Sequence, residues 1–199
     1  MHRVLALIVA AATASAGICA EPPTQLRVRL GDQDIRLDAG QSVEVRIDGK
    51  PVSLRVDELP FRRFAEAGIA FDYPRHFPWE FESPATWTLD GNSAVIIVLG
   101  AEKGEGADPD AVLDGIAQTL KSKRPAPRES ILLATRNGPI DGVAMTVTLA
   151  SSRIRNEAYR IEGRSRDVLL LLQDSLTDDG QASAEFVAMR KQLAQTLEF

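Results

Sequence analysis

The sequence predicts an α+β fold, an antiparallel β-sheet flanked by helices and preceded by a small N-terminal β meander. Three observations carry that expectation. Short runs of alternating apolar and polar residues, broken by Gly-Asp, Ala-Gly and Asp-Gly, fill positions 24–57. Four strand-like segments between 131 and 172 are joined by loops too short for parallel crossovers, which calls for consecutive antiparallel pairing. Two stretches, 108–120 and 182–197, repeat apolar residues at the spacing of one helix face.

In the meander, Val43, Val45 and Ile47 alternate with Glu44, Arg46 and Asp48, and the alternation resumes at Val52, Leu54 and Val56. Asp48-Gly49 between them is a hairpin signal, because the tight turn that matches strand twist needs residues that tolerate positive φ. Leu59-Pro60 closes this section, and FRRFAEAG reads as a link. Strands are expected at 69–73, at 80–81 with 86–89, and at 94–99. In the helix that follows, Asp108 can cap the free amides and Pro109 suits the first position. Val112, Leu113, Ile116 and Leu120 share its inner face, and Pro125 and Pro127 stop it.

Beyond it come strands at 131–135, 143–149, 155–161 and 168–172, with turns at Asn137-Gly138-Pro139 and Gly163. Val143-Ala144-Met145 and VLLLL are apolar in consecutive positions, so these central strands need cover on both faces. The last helix sets Phe186, Met189, Leu193 and Leu197 on one side, with Thr177 or Asp179 expected to cap it.

The first twenty residues, MHRVLALIVAAATASAGICA, pair a basic start with an apolar run too short to cross a bilayer and small residues before Glu21. That is the layout of a signal peptide cleaved near residues 16–20. The expectation is a periplasmic or secreted protein with no transmembrane segment, arranged as a leader (1–20), an N-terminal β extension (21–60) and a sandwich domain (61–199). Cys19, the only cysteine, would carry lipid if it were retained, although Ile18 stands where a small residue is wanted. A mature chain without cysteine must rest on a packed core. With 28 acidic against 23 basic residues, nucleic acid is not the expected partner, since phosphate binding needs a basic face.

GIAFDYP, a Trp shortly after it, TWTLDGNSAVIIVLG, a helix, a run of antiparallel strands and a final helix ending in Leu-Glu-Phe together resemble the PsbP-like family, over about residues 64–199. The resemblance implies an antiparallel sheet sandwiched by helices and a binding or assembly role, with no catalytic motif to transfer. It does not extend to the meander. The function it implies is an exported, non-enzymatic binding or assembly module of the bacterial cell envelope, with another envelope protein as partner. The alternatives are a carboxylate-dependent hydrolase and a lipid-tethered envelope protein.

No cofactor, metal or catalytic residue is expected. With His76 the only histidine beyond His2, a nitrogen and sulfur site for zinc or copper cannot be assembled. The acidic run at 174–180 lacks the spacing of a calcium loop. GNSAV and GRSRD both miss the closing glycine of a nucleophile elbow. GAEKGEG at 100–106 has neither a dinucleotide nor a P-loop pattern, so it reads as a solvated loop.

Two groups remain as candidate binding residues. Arg153, Arg155, Arg164 and Arg166 fall close together and could form a patch for an acidic partner, since guanidinium forks bind carboxylates bidentately; solvated strand ends are the plainer account. Arg75, His76 and Phe77 form the tip of IAFDYPRHFPWEF. Ile69, Phe71 and Tyr73, then Trp79 and Phe81, alternate there as inward strand residues would. Trp79 is therefore expected to be buried, and Phe77 to be the exposed aromatic.

Overall fold

The computed structural model describes residues 24–106, 108–120, 127–163 and 166–199. The expected leader with Cys19, and also Pro125 and Arg164, lie outside the described residues. The chain divides into two units, Met1–Glu58 and Leu59–Phe199.

In the first unit, β1 (Gln25–Leu30) pairs antiparallel with β2 (Gln33–Asp38), and β3 (Ser42–Ile47) with β4 (Lys50–Arg55). These are two separate ribbons rather than the continuous meander expected. Between them the chain turns at Gly40, whose φ is 84° and whose amide bonds the Val56 carbonyl at 2.9 Å. Asp48 and Gly49 both take positive φ, 51° and 77°, as the tight hairpin turn requires.

The second unit begins with a hairpin of β5 (Phe61–Glu66) and β6 (Ile69–Pro74). FRRFAEAG is thus a strand and a turn, not a link. Ala67 (φ 53°) and Gly68 (φ 83°) make the reversal without the Asn or Asp that usually advertises one.

Seven further strands form one antiparallel sheet: β7 (Trp79–Glu82), β8 (Thr86–Asp90), β9 (Ala94–Glu102), β10 (Arg128–Thr135), β11 (Gly138–Leu149), β12 (Ser152–Glu162) and β13 (Arg166–Ser175). Their spatial order is β10-β11-β12-β13-β9-β8-β7, so β10 and β7 are the edges. Helix α1 (Pro109–Thr119) packs on one face, and helix α2 (Ala184–Thr196) with the β5–β6 hairpin on the other.

The sheet's period of two explains VLLLL. Val168, Leu170 and Leu172 join the core beneath α2, while Leu169 and Leu171 join the core beneath α1. Among the described residues 57% lie in strands and 14% in helices. The fold class is mainly β, and the expected helix-flanked α+β sandwich is corrected. The helices are short, 11 and 13 residues, and α1 lies mainly over β11 and β12 of a seven-stranded sheet. Amphipathic spacing signals that a helix exists but not how much of a sheet it covers.

Helix α1 starts as its sequence suggests, with Asp108 accepting from the Asp110 amide at 3.2 Å and Pro109 first. Helix α2 does not. Its cap is Ser183, whose Oγ accepts from the Phe186 amide at 3.1 Å, while the buried Asp174 carboxylate accepts from the Ser183 amide at 3.1 Å. Thr177, an expected cap, instead closes its own loop by accepting from the Gln181 amide at 3.0 Å. Among the described residues no helix is long and apolar enough to cross a membrane.

Candidate functional site

Past Pro74 the chain folds back toward the start of α2. Arg75 donates Nε to the Leu59 carbonyl at 2.6 Å and its amide to the Pro60 carbonyl at 2.9 Å. Phe77 is fully buried at 0% exposure, its ring lying where a side chain on residue 91 would have to go. Gly91 leaves that space, and the short turn aims the ring into it. His76 Nε2 sits 2.7 Å from Glu185 Oε1. The tip Arg75-His76-Phe77 therefore fastens the hairpin to α2, and the expected exposure of Phe77 is corrected.

Glu185 is the hub of this fastening. Its Oε2 accepts from the amides of Ser93 at 2.6 Å and Ala94 at 3.0 Å, and from Ser93 Oγ at 3.0 Å. Burial alone would raise its pKa, but the bonds from His76 and Ser93 outweigh burial and hold it at about 2. Ser93, His76 and Glu185 share the composition of a hydrolytic triad but not its order. Hydroxyl and imidazole both address the carboxylate rather than each other, so the serine is not paired with a base.

A depressed carboxylate stabilises the fold fully above its unfolded value, near 4.5, and progressively less as pH falls toward 2. With the side chain 16% exposed, the loss should reach roughly 2 kcal/mol after allowance for solvent screening. Urea unfolding at about pH 5, 4 and 3 should show wild type and Glu185→Gln converging in stability as acidity rises. A gap that stays constant over that range would rule out this role for Glu185.

Strand β7 follows directly. Trp79 and Phe81 are 51% and 52% exposed, so the expected burial of Trp79 is corrected. Alternation placed both rings on the face shared with Trp87 and Phe64, but β7 is the outermost strand and little of the core reaches it. Phe81 meets Trp87 at a centroid distance of 5.2 Å, Trp87 meets Phe64 edge-on at 6.0 Å, and Phe64 stacks on Phe71 at 4.9 Å. A continuous aromatic line thus runs from the sheet edge into the core. Beside Trp79 lies a small cavity of about 120 Å³, lined also by Arg63, Phe64 and Tyr73. Glu80 and Glu82 occupy the opposite face of β7 and are exposed.

Among the described residues, Arg153, Arg155 and Arg166 do not form a common patch. Arg153 is exposed with its guanidinium over Gly180, at one end of β12. Arg166 is exposed at the start of β13, level with Glu102 and roughly 30 Å away along the ladder. Arg164 lies outside the described residues. Arg155 is engaged, donating Nε to Glu157 Oε1 at 3.0 Å and Nη1 to Glu129 Oε2 at 2.9 Å.

Glu157 itself is buried beneath α2. Its Oε2 accepts from Tyr159 Oη at 2.6 Å and from Arg190 Nε at 2.9 Å. Burial opposes its ionisation, yet the Tyr159, Arg190 and Arg155 contacts together keep its pKa below the ordinary carboxylate value. Burial and the adjacent carboxylate push the Tyr159 phenol upward. The sequence carried a signal for this network in the spacing of Arg155, Glu157 and Tyr159, which share one strand face.

A second clamp holds the 103–106 loop. Buried Asp167 accepts from the Gly104 amide at 3.1 Å and from Arg160 Nη2 at 3.3 Å, and pairs with Lys103 Nζ at 3.2 Å. GAEKGEG is therefore tied down at its centre rather than simply solvated.

Fold and site together define a mainly β protein with a helix on each face of an antiparallel sheet and an aromatic pair on one open edge. No family model and no curated protein matches the chain. Among solved structures it is similar to a point mutant of the protein Mog1, with a TM-score of 0.43 and 12% identity, covering 70% of this chain and 96% of that one. It is also similar to the Ran-binding protein Mog1p of Saccharomyces cerevisiae, with a TM-score of 0.41 and 11% identity, covering 80% and 96%.

These are Mog1 structures and not PsbP structures, so the resemblance to the PsbP-like family is corrected. The yeast protein is a Ran-binding protein and not a bacterial envelope module. The expected exported module, with its signal peptide, periplasmic location and envelope partner, has no support from these comparisons. Neither do the hydrolase and lipid-tethered alternatives.

Proposed function

We propose that the chain is a protein-binding module whose contact surface is the edge strand β7. The observation that carries this reading is the pair Trp79 and Phe81, neighbours on one face of that strand and each about half exposed. Large aromatic rings supply much contact area for little side-chain entropy and are concentrated at interface hot spots. Exposed aromatic rings on an edge strand are also a liability to a chain with no use for them. Arg63 lines the small cavity beside Trp79 and sets a charge at the border of the pair, in keeping with an apolar centre and polar rim.

The test is selection of a displayed random-peptide library against wild type and against a Trp79→Thr/Phe81→Thr variant. Threonine favours strands, so β7 should persist, and circular dichroism checks that it does. Wild type should enrich a consensus whose affinity drops about tenfold or more on the variant. Equal enrichment of one consensus by both chains would overturn the proposal.

A further inference from the structure

The hydrogen-bond phase of β7 shows how such a partner would attach. The Asp90 amide donates to the Pro78 carbonyl at 3.1 Å, and the β7–β8 register sets Trp79 against Leu89, so residues 78 and 90 form a hydrogen-bonded pair. Such pairs alternate along an antiparallel ladder. Glu80 with Thr88 and Glu82 with Thr86 are then the next bonded pairs, and the main-chain N–H and C=O groups of Trp79 and Phe81 point out of the sheet. The two residues that expose aromatic rings also expose a ready main-chain template.

The opposite edge is treated differently. On β10 the Leu132 carbonyl is taken by Arg190 Nη2 at 3.0 Å, and Arg128 is drawn onto Asp110 and Asp114 of α1. Among the described residues no side chain bonds β7 in this way. Its sequence, Trp-Glu-Phe-Glu, also lacks the lysine, proline or bulge that commonly blocks edge pairing.

The charges select the occupant. A second copy pairing β7 with β7 would bring Glu80 and Glu82 against their own counterparts, and like charges across a strand pair are destabilising. We infer that β7 accepts an extended segment of another protein as an eighth strand, its apolar residues lying beside Trp79 and Phe81 and its basic residues beside Glu80 and Glu82. Main-chain bonds to Trp79 and Phe81 would supply affinity, and the alternating side chains specificity. This rests on the proposed role of β7 as contact surface and adds the mode of attachment and the chemistry of the partner.

The probe is a synthetic peptide of about seven residues alternating lysine and valine, used where it is monomeric and at low salt. Its counterparts carry glutamate for lysine, or N-methyl groups on the valine amides that would bond β7. Fluorescence anisotropy should show the lysine peptide binding about tenfold or more tighter than either counterpart. Glu80→Gln/Glu82→Gln should erase most of the preference for lysine over glutamate while the chain stays folded.

An N-methylated peptide that binds as well as its parent would overturn strand addition but leave the aromatic contact surface standing. Absence of binding by the lysine peptide, or a glutamate peptide that binds equally well, would overturn the inference about the partner. If binding survives Trp79→Thr/Phe81→Thr undiminished, both the inference and the proposal beneath it fail. A concentration-dependent dimer abolished by that same variant would instead assign the edge to a second copy and overturn the inference.

Discussion

Phe77→Ala should lower stability by about 3 to 5 kcal/mol, while Trp79→Ala, the larger truncation two residues away, should cost about 1 to 2 kcal/mol. The inversion follows from depth. Phe77 loses its whole ring from the packed core at 0% exposure, leaving a cavity against Gly91, which has no side chain to fill it. Trp79 is already half in water, so only part of its area is removed from a packed environment. Urea denaturation of the two variants measures both values directly. Equal losses, or a larger loss at Trp79, would contradict the placement of these rings and with it the case for β7 as a contact surface.

Glu157→Ala should cost about 3 kcal/mol, because truncating one partner of a buried ion pair leaves the others uncompensated. The loss would strand two guanidiniums, Arg155 and Arg190, and remove the acceptor of the buried Tyr159 hydroxyl. Both arginines retain partial access to water, at 22% and 32% side-chain exposure, which keeps the cost at the lower end for such networks. By contrast, Asp34→Ala on the exposed Arg29–Asp34 pair should change stability by less than about 0.5 kcal/mol. Since Glu157 joins β12 to α2, its loss should also speed amide exchange in α2 more than in α1. Matching exchange in the two helices would show that the network contributes nothing to docking α2.

Much of the fold was legible in local pattern. Asp108-Pro109 marked the start of α1, Asp48-Gly49 marked a turn, and the apolar runs in β11 and β13 signalled strands covered on both faces. The misses share a physical cause. At Ala67-Gly68 only the glycine is a usual turn residue, and Ala67 takes a positive φ that alanine seldom adopts, so β5 was read as a link. Ser183 caps α2 because Asp174 and Ser93 meet it there, an arrangement invisible in the sequence around Thr177.

The candidate site divides in the same way. That Trp79 and Phe81 face one side and Glu80 and Glu82 the other is a property of strand period, and the residues alone state it. Whether that side lies deep or shallow depends on the strand's rank in the sheet, and β7 came out last. His76 and Glu185, or Glu157 and Arg190, are far apart in the chain, and their pairing exists only once α2 is laid on the sheet. Facing is a local consequence of backbone geometry, so it could be read residue by residue. Depth and partnership follow from which surfaces pack together. The tertiary structure alone therefore moved the exposed aromatic from Phe77 to Trp79 and Phe81, and drew Arg155 away from Arg153 and Arg166 into a network around the buried Glu157.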